Sequence, residues 1–186
     1  MKGETMTQAT GTETAIDNVT GEHAVVLEVL RKQRAFLRST TRDLTDAQAA
    51  QRSTVSELCL GGLIKHVASV ERTWVDFITE GASSQKNFAD MTEADFQQRA
   101  DGFRMLPGET LAGVLEAYDE VARRSDAMIA GLTDLNATWP LPEAPWFQER
   151  EWSTRQVLLH IIAETAQHSG HADIIREAID GAKTMG

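Results

Sequence analysis

Residues 152–181 read WSTRQVLLHIIAETAQHSGHADIIREAIDG. Ser153 is a good N-cap and Gly181 a natural stop, so a helix is expected over 154–181. The stretch holds His160, Glu164, His168 and His171, and with them three of the chain's five histidines. A helix turns about 100° per residue. With His160 at zero, His171 falls at about 20°, Glu164 at about 40° and His168 at about 80°. All four share a face with Val157, Ile161 and Ile175, and that face is otherwise apolar. A carboxylate buried beside imidazoles is costly unless something compensates it. A divalent cation is the simplest compensator.

Three further long helical segments precede this one. Over 20–40, Val26, Leu30, Gln33 and Leu37 recur at helical spacing, flanked by Leu27 and Arg34. Over 56–79, Leu63, Val67, Val70, Trp74 and Phe77 form a core-facing stripe. Gly61-Gly62 near its start either permits close packing or delays the regular helix. The third segment, 110–130, faces inward through Leu111, Tyr118, Ser125 and Ile129, with Gly131 as its expected cap. Short helical turns are expected after Thr45 and Thr92. The connection from Gly81 to Gly108 is long, so its flanking helices need not be antiparallel neighbours. Residues 132–151, with three prolines and Trp139 and Trp146, read as an ordered lid or two short extended segments. No convincing strand run is present. The expectation is an all-α helical bundle over 19–183, after a disordered leader at 1–18 rich in Thr, Gly and Glu.

Composition narrows the function. Hydrophobic residues make up 41% and charged residues 25%, as in a soluble globular domain. The net charge of −10 disfavours a nucleic-acid partner. The densest basic runs, Arg31-Lys32-Gln33-Arg34 and Arg123-Arg124, read as solvated helix faces. No run approaches the length of a membrane span. Cys59 is the only cysteine, which removes an intrachain disulfide and makes a reducing, cytoplasmic setting the default.

Glu164 and His168 stand one turn apart and offer two ligands from one helix. A catalytic zinc site uses three protein ligands and keeps a position open. His66, on the second long helix, is the natural third. The donor set suits zinc best, with nickel, iron or manganese also admissible. His160 and His171 read more plainly as core or outer histidines, and also as candidates for proton transfer. Arg155 reads as a surface arginine, or as a group that positions an anion near the last helix's N-terminus. Asp173, Arg176 and Glu177 read as a surface ion-pair network, and the tryptophans as packing anchors, with Trp146 reading equally as a pocket-lining residue.

The segments LGGLIKHVASVERTWVDFITEG (60–81) and 152–181 together resemble the DinB-like family. The likeness spans about residues 20–182 and is nearest an actinobacterial branch related to mycothiol-dependent maleylpyruvate isomerase and thiol S-transferases. It implies a four-helix bundle of up-down-down-up connectivity carrying a divalent metal. His66 matches the family's first ligand, and Glu164 and His168 match the other two in the His-Glu-His form of the isomerase. His168-Ser169-Gly170-His171 stands where many members have His-Arg-Gly-Gln. The resemblance further implies a small-molecule thiol, such as mycothiol, and an electrophilic substrate. The competing expectation is a non-catalytic helical module, with a structural or empty metal site and a homodimer surface.

Overall fold

The computed structural model describes residues 19–184, and the expected leader lies outside them. The described chain is mostly helical. The order is α1 (Gly21–Ser39), α2 (Asp46–Ala49), α3 (Leu60–Glu80), α4 (Glu93–Asp101), α5 (Leu111–Gly131), β1 (Thr138–Pro140), β2 (Glu151–Ser153) and α6 (Thr154–Asp180). Helix α6 packs on α1 and α3, and α5 packs on α3 and α1.

Local chemistry sets the ends. Ser153, Thr45 and Thr92 each form a full capping box, with Gln156, Gln48 and Asp95 respectively. Such caps contribute about 1 kcal/mol each. Gly181 ends α6 at φ 79°, a left-handed conformation that favours glycine. Two boundaries differ from the sequence expectation. Gly131 is the last helical residue of α5 rather than its cap, and the chain leaves through an extended Leu132. Helix α3 begins at Leu60 rather than Ser56 and takes in Gly61-Gly62, which permit close packing, Gly61 against the Met105 side chain and Gly62 against the Phe103–Arg104 backbone. Of the two readings of the Pro- and Trp-rich stretch, the structure has the short extended segments, which form an antiparallel pair with Trp139 opposite Trp152.

The core is divided. One apolar cluster joins Leu27, Leu30, Phe77, Ile129, Val157 and Ile161. The other joins Leu37, Leu63, Val67, Tyr118, Ala172 and Ile175. Between them runs a buried polar belt. Arg34 on α1 donates Nε and Nη2 to Glu71 of α3 at 3.1 and 2.5 Å. Its Nη1 donates to Asp126 of α5 at 2.7 Å. Arg31 Nε reaches the other Asp126 oxygen at 2.7 Å. Glu71 is fully buried and Arg34 nearly so. Arg34 is thus no solvated face residue: it takes the inward position, while Gln33 is only half-buried. Thr165 and Ser125 lie buried in the same belt and donate to carbonyls of their own helices.

Helix α6 is tied to α1 by Arg176. Instead of joining a surface network with Asp173 and Glu177, Arg176 is buried and donates Nη1 to the carbonyls of Thr40 and Arg42 at 2.9 and 2.7 Å. Its Nε donates to Asp180 at 2.9 Å. The uncapped carbonyls after α1 are what it satisfies.

Removing one partner of a buried pair strands the other. Arg34→Met leaves Glu71 charged and unpaired, and is expected to cost about 3–5 kcal/mol in urea unfolding. Glu71→Leu should cost less, since Arg34 keeps Asp126. The double variant should be more stable than Arg34→Met alone.

Candidate metal centre

The α3–α6 interface gathers the polar face of the last helix against His66. The Nε2 atoms of His66 and His168 lie 3.9 and 3.5 Å from Glu164 Oε2. One donor atom from each of the three residues lies within 4.8 Å of the others. Ligand atoms at tetrahedral zinc bond lengths stand about 3.4 Å apart. The two distances to Glu164 are close to that. Two imidazoles and one carboxylate also match a known catalytic zinc donor set. The residues therefore fit a divalent ion. Their half-burial leaves a path to solvent: Glu164's side chain is 27% exposed, against 14% and 13% for His66 and His168. The Glu164 carboxylate is therefore less buried than its helical face suggests.

The rings around this cluster are held from several sides. His168 meets His66 edge to face, with centroids 4.7 Å apart. His168 Nδ1 lies 3.4 Å from His171 Nδ1, on the side of the ring opposite the Glu164 contact. His160 Nε2 lies 3.9 Å from Glu164 Oε1. Its ring rests on Trp74 and Trp152, each 5.1 Å away. Those two indoles are themselves stacked at 5.0 Å. His66 is stacked on Phe103 at 4.0 Å.

Electrostatics separate the two outer groups. The imidazoles of His168 and His66 hold the Glu164 carboxyl well below the usual carboxylate range. Burial pushes the His160 imidazole below its usual value, and the Glu164 charge only partly opposes this. The uncharged form of His160 is thereby favoured.

A family model described as mycothiol-S-transferase matches residues 25–181. The chain belongs to the mycothiol-S-transferase family. The match takes in every residue of the cluster. It agrees with the likeness to the actinobacterial DinB-like branch drawn from the two sequence segments. No curated protein matches the chain.

Set against this mycothiol-S-transferase frame, His66, Glu164 and His168 are brought together, with His160 and His171 on either side. Arg155 is placed elsewhere: it donates to Glu22 at 2.6 and 3.0 Å and to Asn136 at 2.5 Å. Those acceptors engage its guanidinium, which disfavours the anion role. Trp146 is 54% exposed, beside Phe88 and Phe147, and is not a buried anchor. Sequence reasoning missed Phe103 altogether. The Gly61-Gly62 pair was its only trace, since it marks a close backbone approach whose partner sequence cannot name.

In the metal-free protein, NMR titration should place the His160 midpoint below the usual 6.5. Glu164→Gln removes the opposing charge and should lower it further. Trp152→Ala admits water to the ring and should raise it back toward 6.5. A wild-type midpoint at or above 6.5 would contradict the burial argument.

Proposed function

We propose that this protein is a divalent-metal-dependent enzyme that joins a low-molecular-weight thiol to an electrophilic substrate, or isomerises such a substrate through the thiol. The observation that carries the reading is the convergence of His66, Glu164 and His168 in a half-open position between α3 and α6. The family match adds mycothiol as the thiol to try first. In this reading α1, α3, α5 and α6 form one DinB-like bundle of up-down-down-up connectivity.

His66, His168 and Glu164 would hold the ion, through two imidazoles and a carboxylate. Zinc suits the set best, and nickel, iron or manganese take the same donors. A divalent ion held there lowers the pKa of a thiol and makes thiolate available at neutral pH. The chain's own residues do the rest. In this reading His168 Nδ1–H donates to His171 Nδ1, 3.4 Å away, which leaves the lone pair of His168 Nε2 for the ion. His160, in its uncharged form, accepts the thiol proton at Nε2. Trp74 and Trp152 limit water around that nitrogen. The thiol sulfur forms a bond to an electrophilic carbon. The proton then passes from His160 to the departing group, or to the adduct where no group departs.

Elemental analysis of zinc-loaded protein should find about one equivalent, as one three-ligand site requires. His66→Ala or His168→Ala should remove it. Thiol conjugation, assayed with mycothiol and a panel of electrophiles, should need the metal. His160→Ala should lower the rate about 100-fold or more while metal content holds. A loaded protein that conjugates nothing in the panel would favour a structural site instead. A wild type that retains no metal would remove the basis of the proposal.

A further inference from the structure

We propose that Phe103 is a positioning residue for His66, carried there by a strap of chain, 101–109, that Lys65 fastens to α3. The inference rests on the metal-centre reading for its purpose, but its geometry stands apart from that reading.

Residues 101–109 cross the first turns of α3 at very short range. A Cβ built on Gly62 would lie 1.9 Å from the Phe103 carbonyl oxygen, and one on Gly61 would lie 2.3 Å from Met105 Sδ. Only a helix bare of side chains at both positions admits the strap so close. Cys59 Sγ also approaches the Phe103 carbonyl, at 3.9 Å.

Lys65 closes the fastening. Its ammonium donates to the carbonyls of Asp101 and Arg104 at 3.2 and 2.9 Å. It also meets both oxygens of Glu109, at 2.8 and 2.7 Å. An ammonium has three protons, and all three are taken up within the strap. Glu109 in turn accepts from the Leu106 N–H at 2.7 Å. One charge thus holds the strap before, within and after its bend.

The residue at the bend is Phe103. Its ring lies on His66, with centroids 4.0 Å apart and planes 23° from parallel. His168 meets the same imidazole edge to face. His66 is held between the two, with Nε2 directed at Glu164. Of the three residues in the cluster, His66 comes alone from its helix, so its orientation needs a support from outside α6. Lys65, adjacent in sequence, supplies that support at one remove, through the strap.

The test uses the whole chain and zinc affinity by competition with a chromophoric chelator. Phe103→Ala should weaken zinc about tenfold, the usual effect of losing a group that orients a ligand. Phe103→Tyr, which keeps an aromatic face, should restore most of it. Lys65→Met should weaken zinc in the same direction. Combined with Phe103→Ala it should add little, because both act through one contact. In metal-free protein, the His66 ring protons should lose their ring-current shift in Phe103→Ala.

Additive losses, or no rescue by tyrosine, would overturn the positioning role. So would unchanged zinc affinity in a folded Phe103→Ala. If wild type binds neither zinc nor nickel, iron or manganese, the metal reading fails by itself. The ring-current measurement then decides the Phe103 contact: an unchanged His66 spectrum refutes it.

Discussion

The alignment of α1, α3 and α5 depends on the buried guanidinium of Arg34. It is held by Glu71 from α3 and Asp126 from α5, at the boundary between two apolar clusters. Apolar contacts tolerate sliding, because they are non-directional and roughly proportional to area. A forked cation between two carboxylates does not tolerate it. One axial offset of α1, α3 and α5 satisfies all three groups, and a shift of a turn strands a charge. The belt thereby fixes the height of His66, a little over one turn before Glu71 on α3. Arg176, on the carbonyls that follow α1, does the same for α6. Two polar anchors thus bring His66 level with Glu164 and His168.

The long helices were legible because each carries an apolar stripe, to which α6 adds a cap and a stop. Thr45, Thr92, Ser153 and Gly181 act where the sequence places them. The shared face of Glu164 and His168 was equally local, since helical geometry alone decides it. Arg34 was not legible as a buried group. The wheel put it beside the apolar stripe, yet only Glu71 and Asp126, far along the chain, make burial affordable. Arg176 fails in the same way, since carbonyls of Thr40 and Arg42 leave no mark on its neighbours in sequence. The β1–β2 pair is too short for alternation to announce it. Phe103 escaped because a loop residue's place depends on what fastens the loop, and the fastener is a lysine on another element.

The candidate site divides its work by environment rather than by residue type. Three histidines lie close to one carboxylate, yet each meets a different neighbour. His66 meets a phenyl ring, His160 two indoles, and His168 the ring of His171. Burial against indole disfavours the charged form of His160. The half-open setting of Glu164 limits the desolvation cost of keeping it ionised.

Helix α4 buries none of its residues. The chain around it is fixed at two places. Upstream, Phe88 N–H donates to the Glu143 carbonyl and Asn87 accepts from the Glu143 N–H. Downstream, Lys65 grips the chain from Asp101 to Glu109. What lies between those moorings can change in length or sequence while the site stays where it is. The segment is therefore the natural place for inserting a reporter domain or opening new termini.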